Sequence, residues 1–461
     1  MNIVLISTYE LGRQPFGLAS PAAWLRNHGH HVTCLDLSRQ PLEENAIHAA
    51  ALIAFYVPMH TAARLTLQLI APLRRLNPAA AVCVYGLYAS LAAAAFREAG
   101  VEAFFGGEFE EGLTQFVSRL ASSAHPLSPP NSSPEESVSL ARQRFRTPDR
   151  AAMPPLRQYA HVILPSGAHR TVGYTEASRG CKHLCRHCPV VPVYKGAFRV
   201  VDREVVLADI RQQVAGGAQH ISFGDPDFFN GVGHALPIVE ALHQEFPALT
   251  YDATIKIEHL KQHERHLPLL RETGCLFITS AVESLDDAVL LKLEKGHSRA
   301  DFLYVVHKFR ELGLTLHPTF VPFTPWTTLA SFHDLLHTLA SLDLVSAVAP
   351  IQLAIRLLIP AQSRLLELPD IQRVAGPFDK TALVYPWGHS DPRVDALCDE
   401  VQELVAAGTQ KQLSRHEIFE TIWHAASASC ADGSRNDDGF RPLPPLVARA
   451  AVPYLNEPWY C

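Results

Sequence analysis

No long basic run occurs in the 461 residues, and 40 Lys plus Arg against 46 Asp plus Glu leave a formal net charge of -6. Nucleic acid and anionic lipid surfaces both demand clustered cations, so neither is an expected partner and small molecules become the default. A long apolar run is missing too. The nearest, Ala79 to Phe96, holds no charged residue but only just reaches spanning length; Gly86 interrupts it, and AAAVCVY reads as a buried strand leading into a helix. The opening MNIVLIS has no basic n-region and no small-residue cleavage site, so it reads as a first strand, and the expected location is cytoplasmic. Nor is there a disulfide framework: the nine cysteines are odd in number, three fall within eight residues, and six are scattered. A tight thiol group in a reducing compartment more often binds metal.

What is present describes globular domains: 48% hydrophobic and 19% charged residues, over a length that calls for roughly two to four of them. From Asn2, β-branched runs (NIVLIS, HVTCLDL, AALIAFYVP, AVCVY, VEAFFGG) alternate with amphipathic stretches, the pattern of an open, mostly parallel α/β sheet. Residues 1–121 are assigned to this Rossmann-like domain. Residues 122–160, rich in Ser and Pro, read as a linker. A second alternating region, 161–370, has strand candidates at HISFGD, TYDATI, LFITSAV, LHPTFVP and IQLAIRLLIP. It suggests a (β/α) barrel, whole or partial, with its chemistry at the carboxyl ends of the strands. Residues 371–461 show helical periodicity and then a Pro-rich tail.

The informative segment is EASRGCKHLCRHCPVVPVYK, in which Cys181, Cys185 and Cys188 form C-x3-C-x2-C after Arg179-Gly180. Structural zinc sites usually take four ligands as two separated pairs, and ferredoxin-like clusters need a fourth cysteine. Three thiolates on a cubane leave one iron without a protein ligand, so the spacing predicts an open metal site. A zinc site that adds His183 or His187 to the cysteines is the alternative.

This loop resembles that of the radical S-adenosylmethionine (radical SAM) superfamily. The resemblance implies a 4Fe-4S cluster whose open iron chelates S-adenosylmethionine (SAM) and whose reduction delivers one electron to the sulfonium. It places His187 at the usual aromatic position. It puts Asp225 or Asp227 near the amino end of SAM, although the family's Gly-Gly-Glu is missing, and Glu283 and Ser284 of SAVESLDD near the ribose or methionine end. Arg356 is placed in the last apolar strand as a partner for the SAM carboxylate. Strand-end caps and surface ion pairs are the structural alternative for each of these residues.

The N-terminal region resembles the cobalamin-binding-type domain that precedes many radical enzymes. GLYAS stands where relatives have Gly-Gly-x-His, and no D-x-H-x-x-G supplies an axial histidine. Cobalamin therefore stays open, with a repurposed domain preferred. STYELGRQPFGLASPAAWL, the cysteine loop, IRLLIP and the terminal EPWYC together resemble a group with Cys-Cys or Cys-selenocysteine tails that includes the radical enzyme of arsinothricin biosynthesis. That resemblance implies transfer of the 3-amino-3-carboxypropyl group of SAM to arsenite, with Cys461 and Cys430 as catalytic thiols and a flavodoxin or ferredoxin as reductant. Cobalamin-assisted methylation and hydrogen abstraction by a 5′-deoxyadenosyl radical compete with it. A non-catalytic metal-binding protein is the reading from another class.

Overall fold

A computed structural model of the chain describes residues 1–122, 135–431, 442–444, 446 and 452–456. The first unit is a six-stranded parallel sheet built from β1 (Asn2–Ser7), β2 (His31–Asp36), β3 (Leu52–Tyr56), β4 (Ala81–Tyr85), β5 (Ala103–Gly107) and β6 (Glu135–Ser139), in the order β2-β1-β3-β4-β5-β6. β3, β4 and β5 are buried along their whole length because helices cover both faces, which is why their sequences read as continuous apolar runs. The apolar stretch Ala79 to Phe96 is β4 followed by the short helices Leu87–Leu91 and Ala93–Glu98. No helix among the described residues is long and apolar enough to cross a membrane.

Two expectations need correction. The segment 122–160 contributes β6, a sixth strand on the edge of the first sheet, although its sequence EESVS has no strand signature. IQLAIRLLIP is not a strand. It opens with the 3-10 turn Pro350–Leu353, ends at Pro360, and pairs only through an isolated bridge between Arg356 and Phe323. Proline removes a ladder donor and fixes φ, so a run bounded by two prolines pairs over little of its length.

The second sheet contains β7 (His161–Ile163), β8 (His169–Thr175), β11 (His220–Phe223), β12 (Thr250–Thr254), β13 (Cys275–Glu283), β14 (Thr315–Phe320) and β15 (Tyr454–Leu455), ordered β14-β13-β12-β11-β8-β7-β15. β8 and β11 to β14 run parallel, whereas β7 and β15 are antiparallel additions. This is a curled half-barrel with helices outside. The short strands β9 (Ser178–Gly180) and β10 (Phe198–Val200) form a ribbon that brackets the cysteine loop. Helices Pro392–Gln410 and Arg415–Ala431 close the C-terminal region; Leu397, Val401, Ile422 and Trp423 from them join the half-barrel core.

The two sheets meet through buried groups. Val193 and Tyr194, just after the cysteine loop, and Leu383 pack into the core of the first unit. Arg150 donates to Asp209 at 2.7 and 2.9 Å, to Gln14 at 2.7 Å and to the Tyr174 carbonyl at 2.6 Å, which ties 122–160 to both sheets.

Candidate active site at the carboxyl ends of the half-barrel strands

The cysteine loop begins where a side chain cannot be accommodated. Gly180 has φ +75°, and a Cβ there would lie 2.4 Å from the Tyr194 ring and 2.5 Å from the Ala197 carbonyl, so only glycine turns the chain into Cys181. Asn230, after β11, then fastens the loop: its side-chain oxygen accepts from the Lys182 amide at 3.1 Å and lies 3.7 Å from Cys181 Sγ. Cys181 and Cys185 are buried and Cys188 is half-buried. Burial first, then the neighbouring Cys185 and Cys181, push the Cys188 thiol up to about 12. Thiols gathered in this way become thiolates when a metal centre supplies the opposing charge.

The spacing of these thiols fits a cluster better than a lone ion. A single tetrahedral ion with sulfur ligands at ~2.3 Å needs sulfurs ~3.8 Å apart. Among the described residues, the ligand atoms that converge within 4.8 Å of one another belong to His183, Asp227 and His259, and the three cysteines do not form such a group. The donor set of Cys181, Cys185 and Cys188 therefore fits a polynuclear centre.

The other sequence-predicted residues separate into those gathered around this loop and those held elsewhere. His187 Nε2 lies 3.1 Å from Glu283 Oε1, so two positions 96 residues apart are brought together. Glu283 ends β13 with φ +69°, a strained conformation for a side-chain-bearing residue, at the point where the pairing with β14 shifts register. Burial alone would raise the Glu283 carboxyl, but Lys295 at 3.4 Å and His187 hold it down to about 2. Lys295 is only 3% exposed and its charge also acts on Cys185 and Cys188. Ser284 lies beside Glu283 on a cavity of about 160 Å³, and its hydroxyl accepts from the Asp286 amide at 3.0 Å.

Asp225 is committed to structure. It accepts from the Ala177 amide at 2.9 Å and the Ser178 hydroxyl at 2.5 Å, and burial pushes its carboxyl up to about 7 against those bonds. Asp227 uses one oxygen to cap Phe229 at 3.2 Å, while the other is buried without a hydrogen bond. Arg356 is also occupied: its guanidinium stacks 3.7 Å from the centre of the Trp387 ring and donates to Asp395 at 2.8 Å and to the Trp387 carbonyl at 2.7 Å. Cys430 sits half-buried near the end of helix Arg415–Ala431, not in a loop, and Cys461 lies outside the described residues.

Lys295, Lys256, His259, His297 and Asn230 carried no spacing signal and were not identified from the sequence. Both nitrogens of His297 are buried without hydrogen bonds; burial, then Lys295 and Lys256, lower its pKa to about 4. These residues follow three different strands, Asn230 after β11, Lys256 and His259 after β12, and Lys295 and His297 after β13, so only the fold gathers them.

Residues 175–339 match the family model of the radical SAM superfamily, and this segment is a radical SAM domain. The chain is 27% identical over 178 residues to the ribosomal protein uS12 methylthiotransferase RimO of Geobacter sulfurreducens, covering 36% of this chain and 38% of that protein. It is 25% identical over 151 residues to the hopanoid C-3 methylase of Methylococcus capsulatus (Bath), covering 33% and 29%. The chain thus spans less than two fifths of the length of these curated relatives. Two solved structures share the fold. The cobalamin-dependent SAM radical enzyme OxsB, with aqua-cobalamin and SAM bound, superposes with TM-score 0.70 at 14% identity, covering 93% of this chain and 71% of that one. The radical SAM methyltransferase TsrM from Kitasatospora setae gives 0.56 at 18%, covering 74% and 73%. Radical SAM domains use a 4Fe-4S cluster and SAM, and the three-cysteine loop fits that pair.

Cobalamin is the further cofactor this architecture implies. Open α/β sheets bind ligands at the carboxyl ends of their strands, here Tyr56, Tyr85, Gly86 and Glu108. The chain's own side chains fill that edge. The Tyr56 ring occupies the space a Gly17 Cβ would need, within 2.2 to 2.4 Å, and Tyr85 donates to the Gly17 carbonyl at 2.8 Å. Arg179 from the cysteine-loop ribbon donates to Glu110 at 2.6 and 2.9 Å and lies 3.5 Å from Glu108, beneath the rings of Phe16, Phe109 and Phe145. The Tyr194 hydroxyl donates to Glu108 at 3.1 Å. A corrin at this edge would have to displace part of this buried network, while Ser7 Oγ, Glu10 Oε2 and Ser90 Oγ are buried there without hydrogen bonds; cobalamin is a possible cofactor of this architecture.

Proposed function

We propose that the protein is a cobalamin-independent radical SAM transferase that moves the 3-amino-3-carboxypropyl group of SAM to trivalent arsenic and releases methylthioadenosine. The observation that carries this reading is the loop of Cys181, Cys185 and Cys188 at the carboxyl ends of the half-barrel strands, with the buried Lys295 ammonium beside it. A cluster on those cysteines would supply one electron to the sulfonium of SAM and take one back from the arsenic adduct, so that the transfer balances with arsenic ending pentavalent. The chain's own groups set the orientation. Gly180 and Asn230 fix the loop, and Glu283, held ionised by Lys295 and His187, offers an anionic acceptor at the mouth. Burial of the surrounding aromatic and apolar side chains excludes water.

Arsenite is proposed as acceptor because trivalent arsenic is soft and is held by thiols. Cys430 supports this by its position. It lies in the field of Arg393, two residues before Asp395, which holds Arg356, and Arg356 bridges Phe323 just past the end of β14. Cys461 is proposed as the second thiol, and a flavodoxin or ferredoxin as the reductant.

The test is anaerobic assembly of the cluster, reduction with SAM present, and quantification of methylthioadenosine, 5′-deoxyadenosine and S-adenosylhomocysteine with and without arsenite. Methylthioadenosine should rise with arsenite and be unchanged by hydroxocobalamin. S-adenosylhomocysteine that rises only with hydroxocobalamin would replace this reading with cobalamin-assisted methylation.

A further inference from the structure

We propose that His183, Asp227 and His259 form a mononuclear site for a divalent first-row cation, separate from the three-cysteine centre. The three residues come from different parts of the half-barrel top: His183 from the cysteine loop, Asp227 from the turn after β11, and His259 from helix Ile257–Gln262 after β12. Their ligand atoms all lie within 4.8 Å of one another.

The decisive contact is between His259 Nδ1 and Asp227 Oδ2. They are 2.7 Å apart, both buried, and neither makes a hydrogen bond. A histidine paired with a carboxylate for structural reasons places its N–H in line with the oxygen, and that in-line bond is missing. Two buried polar atoms this close, without a shared hydrogen, instead aim their lone pairs at a third point. Leaving both unsatisfied would cost several kcal/mol, roughly 1–3 for each group, and a cation there satisfies both. His183 Nε2 completes the set, 3.6 Å from Asp227 Oδ2 and 3.3 Å from His259 Nε2, a hydrogen bond that a bound cation would replace. Bonds of ~2.1 Å to nitrogen and oxygen put neighbouring ligand atoms ~3.0 Å apart in an octahedron and ~3.4 Å apart in a tetrahedron. The observed 2.7 and 3.6 Å bracket those values.

The outer groups agree. A metal-bound histidine usually turns its other ring nitrogen to a carboxylate, which fixes the ring and the tautomer. His183 Nδ1 lies 3.5 Å from Glu258 Oε2, and Lys256 Nζ lies 3.2 Å from the same oxygen. Asp227 is likewise fixed, because its other oxygen caps Phe229. Two imidazoles and one carboxylate suit Fe²⁺ or Zn²⁺ and leave further positions for water or an oxygen-bearing substrate. The site does not depend on the proposed reaction, since it uses none of the three cysteines.

The probe is Co²⁺, titrated into full-length protein with its cluster assembled and loosely held metal stripped. One equivalent should bind beyond the cluster iron, with ligand-field bands and no thiolate-to-cobalt charge transfer. Asp227→Asn, which keeps the oxygen that caps Phe229, should weaken Co²⁺ binding by more than about 10-fold, and Glu258→Gln by about 10-fold. The cluster absorbance reports that the variants fold. Equal affinity in Asp227→Asn and parent, thiolate charge transfer, or no bound equivalent would each overturn the proposal. Were the cluster not to assemble, the protein with Ala at 181, 185 and 188 should still bind one Co²⁺, which separates failure of this site from failure of the radical SAM reading.

Discussion

The two parallel sheets of this chain end in the same way and are used differently. Strands of both deliver polar side chains at their carboxyl edge, where α/β sheets place ligands. On the first sheet most of these groups are taken up across the junction: Glu110 pairs with Arg179, Glu108 takes the Tyr194 hydroxyl, and aromatic rings cover the guanidinium, while Ser7 Oγ, Glu10 Oε2 and Ser90 Oγ are buried without hydrogen bonds and, among the described residues, carry no metal-ligating histidine beside them. On the half-barrel, Asp227 Oδ2, His259 Nδ1, His187 Nδ1 and both nitrogens of His297 are buried without hydrogen bonds. Topology determines where a site can form; whether the polar groups there are satisfied by the chain or left for something else determines whether one is used.

The largest effect that tests this contrast is on the open edge. Cys185→Ala removes one of the three thiolates the loop offers a cluster and should abolish both iron-sulfur absorbance and SAM cleavage. Full cleavage by that variant would move the chemistry away from the loop.

The closed edge should respond in stability instead. Arg179→Met leaves Glu110, which is fully buried, without its cation, and breaking one side of a buried pair costs about 3–5 kcal/mol. Chemical denaturation should show that loss. A change below about 1 kcal/mol, the size expected for a solvated surface pair, would mean that water enters the junction and the edge is not closed.

A smaller change is expected at Lys295. Lys295→Met keeps the apolar stem but strips the Glu283 carboxylate of its ammonium, and His187 at 3.1 Å becomes its remaining close partner. Glu283 should then take up a proton at higher pH than in the parent. Isotope-edited infrared spectroscopy of the carboxylate band should place its titration above about 2, the value that Lys295 and His187 now impose. An unmoved titration would assign the control of Glu283 to His187 alone.

How much of this could be read from the sequence depended on separation along the chain. The parallel strands of the first sheet announced themselves as apolar runs because both faces are buried. The strand Glu135–Ser139 did not, since it pairs through its backbone at an edge where Val138 is 43% exposed and no side chain needs to be apolar. IQLAIRLLIP carried the opposite error: its residues are apolar because they pack, but Pro350 and Pro360 limit its pairing to one bridge. The cysteine loop was legible because its three thiols lie within eight residues. Glu283 with Lys295 and His187, and Asp227 with His183 and His259, were not, because their members sit on separate elements and loops up to 96 residues apart. Arg356 looked available in sequence, yet Asp395 and Trp387, more than 30 residues downstream, occupy it.

The smallest expected effect is a pH dependence at the closed edge. Burial, opposed by Arg179 and reinforced by Glu110, raises the Glu108 carboxyl to about 7 from an ordinary value of 4.5. A carboxyl raised in the folded state contributes fully below its unfolded pKa, and that contribution is lost as pH rises through the folded one. Folding should therefore weaken between about pH 4.5 and about pH 7 by an amount traceable to this residue. Glu108→Gln stays neutral throughout, and its amide oxygen can still accept from Tyr194. The variant should match the parent near about pH 5 and exceed it by on the order of 1–2 kcal/mol near about pH 8, read from paired denaturation curves across that range. A difference that stays flat with pH would show Glu108 already ionised and paired with Arg179, and the edge would then hold a full set of charges instead of the partly neutral network that burial favours.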